Sequence, residues 1–188
     1  GPEASAPPAG PEGSAPPGGE QAPAGPSFEE LVSLYSALKQ SADRVSSMAF
    51  VHEQLYRSGD LASIGFADYV VQLVTHLRDT QGEVAQRAPI VMDVADVRLG
   101  IETAIPLGLV VNELVSNAYE HAFRDGRVGQ ITLRLRRVGD GELELGVSDD
   151  GVGLPPGFSL ERSASLGMQL VLSLAEQLGA RFDHGPAE

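Results

Sequence analysis

A chain of 188 residues with a formal charge of −13 and no cysteine has room for one ordinary nucleotide-binding domain and a smaller element, but not for two large domains. The acidity argues against nucleic acid and anionic membrane surfaces as partners, because their phosphates need clustered Lys and Arg, and the missing thiols exclude disulfides, zinc-thiolate sites and cysteine nucleophiles. No apolar run approaches a membrane span and no signal-peptide pattern opens the chain, so a cytoplasmic location without membrane contact is expected.

Residues 1–27 hold eight of the thirteen prolines and no large apolar residue. Such a stretch cannot bury a core and reads as a disordered linker. From Phe28 the pattern changes to apolar residues three and four apart: Phe28, Leu31, Tyr35, Leu38, Ala42, Val45, Ala49, His52 and Tyr56. This predicts a helix to about Arg57, with Ser27 as N-cap and Gly59 as its stop. A second helix, Phe66 to about Gln81, offers Tyr69, Val70, Leu73, Val74 and Leu77. The two can pair as a hairpin or contribute to a dimeric bundle, making residues 28–82 a helical unit.

After Gly82 the character becomes mixed α/β, through to residue 188. Ile90 to Val94 reads as a strand and Thr103 to Phe123 as a long helix with Pro106 in its first turn. Gln130 to Arg137 and Glu142 to Ser148 alternate apolar and polar residues around Gly139-Asp140-Gly141, which predicts a β-hairpin. A Gly-, Pro- and Ser-rich loop over Leu154 to Ala164 is long enough to serve as a lid. A helix from Leu166 to Leu178 follows, and Ala180 to Asp183 starts what reads as another strand.

On the long helix Glu113, Asn117, Glu120 and His121 fall on one face, opposite an apolar face of Leu107, Val111, Leu114, Ala118 and Ala122. A carboxylate and a carboxamide one turn apart suit a divalent cation, since both offer hard oxygens and leave room for phosphate oxygens. A solvated face on a core helix carries the same pattern. Asn112 sits about 140° from Asn117 at ~100° per residue and is expected to point elsewhere, toward neighbouring backbone. Asp149 comes directly off an apolar strand, where it can accept a hydrogen bond from an exocyclic amine. Gly151 and Gly153 permit positive φ and close approach of a ligand to the backbone. An ordinary Asp-Gly turn is the alternative. Ser165 and Gly167 open the last helix, where free backbone amides attract phosphate.

In order, N-E-L-V-S-N-A-Y-E-H-A-F (112–123), S-D-D-G-V-G-L-P (148–155) and S-L-G-M-Q-L-V (165–171) resemble the N, G1 and G2 boxes of the gyrase/histidine-kinase ATPase superfamily. Similarity is greatest to the bacterial sensor histidine kinases related to the HWE group. Arg44 to Ser58 also resembles the second half of that family's dimerisation domain. The resemblance implies a two-layer α/β sandwich of Bergerat type, preceded by a helical dimerisation hairpin, binding ATP and Mg²⁺. It implies Asn117 as the Mg²⁺ ligand and Asp149 as the reader of adenine, with Glu113 as a general base or supporting residue. Further nucleotide contacts are implied for His121, Gly151, Gly153, Leu166 and Gly167. Partners implied are a second copy through residues 28–82 and a response-regulator receiver protein.

Three departures stand out. No H-R-x-K-N phosphoacceptor occurs, so the receiving histidine is expected outside this chain. Glu120 stands where the family carries Lys, and losing a charge-assisted phosphate contact costs about 1.5–3 kcal/mol. The sheet's last strand is expected beyond Glu188, and a fragment of a longer kinase accounts for the first and third departures together. The leading expectation is the ATP-binding catalytic portion of a sensor histidine kinase. A pseudokinase dimerisation module and a Ser/Thr anti-sigma-type kinase of the same fold are the alternatives.

Overall fold

The computed structural model describes residues 25–58, 63–139, 141–154 and 165–185, with backbone only for part of the first helix. Most of the expected linker, the Gly59 stop, the side chain of His52 and the loop following Leu154 lie outside the described residues. The chain divides into two compact units, residues 1–38 and 39–188.

Helix α1 runs Phe28–Ser58. A reciprocal capping box opens it: the Glu30 amide donates to Ser27 Oγ at 3.2 Å and the Ser27 amide to Glu30 Oε2 at 2.6 Å. The bond from the Ser27 amide holds the Glu30 carboxyl below its ordinary pKa. Within residues 28–38 the apolar side chains stand exposed.

In the second unit β1 (Ile64–Gly65) precedes α2 (Phe66–Gln81), a short α3 (Glu83–Arg87), β2 (Ile90–Val94) and β3 (Arg98–Leu99). Helix α4 (Ile101–Asn117) continues into a π turn (Ala118–Ala122) and a 3-10 turn (Arg124–Gly126). Then come β4 (Ile131–Arg137), β5 (Leu143–Asp149) and α5 (Leu166–Gln177). The mixed sheet has order β2-β4-β5, with β2 parallel and β5 antiparallel to β4. A two-residue ladder joins β1 to β3.

Alternation of the strands sends Ile131, Leu133 and Leu135 inward, where all three are fully buried. They share one core with Phe66, Tyr69, Val70, Leu73, Val74 and Leu77 of α2 and with Val111 and Val115 of α4. Much of the α2 face is therefore taken up by α4 and the sheet. Phe50 of α1 also reaches it, stacking on Tyr69 and His76 at 6.3 and 6.4 Å between ring centres. Gly108 lets α4 approach α2: a Cβ there would collide with the Tyr69 ring and hydroxyl. That hydroxyl is buried without a hydrogen-bond partner, and burial pushes its pKa well up.

Three expectations differ from the structure. Helix α4 starts at Ile101, because the Ala104 and Thr103 amides both reach the Gly100 carbonyl, so Pro106 lies in the second turn. The long helix does not stay α-helical to Phe123; it widens into the π turn from Ala118. Ala180 to Asp183 forms no strand. Gly179, at φ +64°, ends α5, and the Ala180 amide turns back to the Ala175 carbonyl at 2.8 Å. Phe182 then packs on a second cluster of Leu109, Val110, Val171 and Leu174.

Candidate nucleotide site

The last two turns of α4 present two rows of polar groups. Asn112, Ser116, Glu113, Asn117 and Glu120, with Asp43 of α1, line a cavity of about 10 Å³. That is room for roughly one water, far below the ~300–1,000 Å³ of a small-molecule pocket. Asn112, expected to point elsewhere, is 1% exposed and lines this cavity, its amide 3.5 Å from Glu113 Oε1. The reason is that the cavity bridges the neighbouring 112/116 and 113/117/120 rows of the helix. Glu113 is buried and Asn117 half-buried. Ser116 Oγ, which the sequence did not single out, is buried with no hydrogen-bond partner.

His121 lies apart from this cavity. It is exposed, with Nδ1 2.8 Å from the Arg124 guanidinium. Asp149 is half-buried at the end of β5 and does not line the cavity either. One of its oxygens accepts from the Gly151 amide at 3.0 Å; the other makes no hydrogen bond among the described residues. An oxygen so placed can accept an amine hydrogen.

The two glycines of the turn serve different needs. Gly153 has φ +73° and so adopts a conformation other residues resist. Gly151 is needed for close approach of protein to protein: a Cβ there would collide with Ala122, whose carbonyl accepts from the Val152 amide at 3.0 Å. The turn after β5 is thereby fastened to the π turn after α4. Asp150, also not singled out beforehand, accepts from the Gln130 amide at 2.6 Å and ties the turn to β4.

Ser165 caps α5, accepting from the Met168 amide at 3.3 Å. Gly167 is buried in the first turn and Leu166 is 60% exposed. Met168 reaches back to α4, where its sulfur accepts from the Asn117 side-chain amide at 3.3 Å. That contact joins the first and third motifs, and only the acceptor nature of the thioether could have suggested it from sequence.

A polar helix face, a carboxylate at a strand end above a glycine turn, and a capped glycine-bearing helix on one mixed sheet define an ATPase domain of the histidine-kinase type. Residues 102–188 match the family model of the histidine kinase-, DNA gyrase B- and HSP90-like ATPases, and residues 29–81 match a histidine kinase model. The sensor histidine kinase PdtaS of Mycobacterium tuberculosis is 39% identical over 140 residues, 73% of this chain and 27% of that protein. Blue-light-activated histidine kinase 2 of Erythrobacter litoralis is 29% identical over 149 residues, 75% of this chain and 42% of that protein. The solved histidine kinase domain of the Erythrobacter litoralis EL346 blue-light activated kinase superposes with a TM-score of 0.65 at 27% identity, covering 74% of this chain and 65% of that one. The chain belongs to the sensor histidine kinase family. It spans about a quarter of the length of PdtaS.

Proposed function

We propose that this chain is the ATP-binding catalytic portion of a two-component sensor histidine kinase, transferring the ATP γ-phosphoryl group to a histidine outside the chain. Its parts are a linker (1–27), part of the helical dimerisation domain (28–82) and the ATP-binding domain (83–188). It works in the cytoplasm as a homodimer through residues 28–82 and signals to a response-regulator receiver. Among the described residues no helix is long and apolar enough to cross a membrane.

What supports the reading most is that one fold carries the Glu113–Asn117 face on α4 and the Asp149 carboxylate at the end of β5, the turn after β5 being tied to the π turn after α4 by the Val152–Ala122 hydrogen bond. The donor set fits Mg²⁺ and ATP. Asn117 and Glu113 bring hard oxygens, and no three His, Asp or Glu side chains among the described residues form a metal-binding group. A cation here would rely on phosphate oxygens for much of its shell, as Mg²⁺ does. ATP would supply the γ-phosphoryl group. Asp149 would hold the adenine amine, Asn117 the cation, and the free amides at the start of α5 would meet phosphate. Glu113 acts as base or as a support for Asn117. Asp149→Ala and Asn117→Ala should each abolish Mg²⁺-dependent binding of an ATP analogue; unimpaired binding in the Asp149 variant would sink the assignment.

One observation favours a second reading. Glu120 lines the same cavity as Asn117, so its carboxylate stands close to where phosphate charge would gather. In a pseudokinase module this repulsion abolishes nucleotide binding, and Glu120→Lys should then restore it. If the wild-type chain already binds ATP and Glu120→Lys adds nothing, the catalytic reading stands.

A further inference from the structure

We infer that Met168 is a positioning residue that turns the Asn117 carboxamide oxygen toward the cation. This rests on the proposed role of Asn117 as a Mg²⁺ ligand.

A carboxamide carries a donor end and an acceptor end of nearly equal size, and only the oxygen can bind a cation. At the junction of α4 and the π turn, something must decide which end faces the cavity. The Met168 thioether accepts and cannot donate, so at 3.3 Å it selects the nitrogen of Asn117. The oxygen is then turned away from α5. Asn117 lines the cavity shared with Glu113 and Glu120, the side on which a cation would find further carboxylate oxygens.

The sulfur is itself held in place. The Met168 amide is capped by Ser165, and its side chain packs against Leu109, Val110, Val171 and Leu174. α5 and α4 therefore meet through this cluster, with the acceptor at the end of a side chain packed against both. A leucine of similar bulk would fill the same space and leave the carboxamide free to flip. In the flipped state the amine end would oppose the cation.

The test uses the full chain and trinitrophenyl-ATP as the probe, titrated with MgCl₂ and also measured in EDTA, for wild type, Met168→Leu, Asn117→Ala and the Met168→Leu/Asn117→Ala double variant. Met168→Leu should raise the Mg²⁺ midpoint about three- to tenfold, the scale of one weak hydrogen bond. Affinity in EDTA and the thermal midpoint should move little. In the Asn117→Ala background, where only Mg²⁺-independent binding is left, Met168→Leu should leave the affinity in EDTA unchanged. A Met168→Leu midpoint within twofold of wild type, or an equal loss with and without Mg²⁺, overturns the proposal while leaving Asn117 in place. If Asn117→Ala keeps the wild-type Mg²⁺ dependence, the ligand assignment falls and the role of Met168 falls with it.

Discussion

Helices α2 and α1 both carry apolar residues three and four apart, yet α2 buries Phe66, Tyr69, Val70, Leu73, Val74 and Leu77 to 5% exposure or less, while Phe28, Leu31, Val32, Leu34, Tyr35, Leu38 and Val45 of α1 stay 48–81% exposed. The period marks which face of a helix wants covering and is silent on what covers it. For α2 the cover is α4 and the sheet, inside one cooperative core. An uncovered stripe of this length on α1 is what a self-associating surface requires, and it supports the proposed dimer.

The sharpest way to test this contrast is to truncate matching leucines. Leu73→Ala should cost about 2–5 kcal/mol in chemical denaturation, because it opens a hole in a fully packed core. Leu38→Ala should cost under about 0.5 kcal/mol in dilute monomer, yet weaken self-association in sedimentation. A denaturation cost for Leu38→Ala equal to that of Leu73→Ala would erase the distinction. Gly108→Ala should cost about 1–3 kcal/mol by pushing α4 off the Tyr69 ring, with no effect on association. Ser27→Ala should remove about 1 kcal/mol of capping from α1 and fray its first turns, seen as lost helicity by circular dichroism, while the α2 core keeps its melting midpoint.

Tyr69→Phe should not destabilise the fold at neutral pH, since the hydroxyl has no partner to lose and its burial cost is removed. Its signature lies at high pH. Burial raises the folded-state pKa of Tyr69, so its contribution is complete below the unfolded value near ~10 and declines as pH climbs past it. Alkaline denaturation should therefore be less steep in the phenylalanine variant.

The periodic parts of this fold were legible in the sequence. Helix α2 runs Phe66–Gln81 as its pattern predicts, and Ile131, Leu133 and Leu135 of β4 alternate inward as read. The Glu113–Asn117 pairing on one cavity was legible too, because both residues obey helical spacing. The π turn was not, since adding a residue to a helical turn leaves no mark in composition. Nor was the β1–β3 ladder, whose two pairs are too short to show alternation. Ala180 to Asp183 misled because a lone aromatic after a glycine reads equally as strand or as a packed tail. Tertiary packing of Phe182 decided it.

The parallel pairing of β2 with β4 also constrains how the chain assembles. Val138 and Glu142 close the β4–β5 hairpin locally, an event on the microsecond scale. Ile90 must find Ile131 about forty residues later, with all of α4 in between. That search carries the larger loop-closure entropy, so docking of β2 is expected to be the slow step of folding. Substitutions along β2 and at the hairpin turn, which closes before that step, should then slow refolding, whereas those at contacts made after β2 docks should chiefly hasten unfolding.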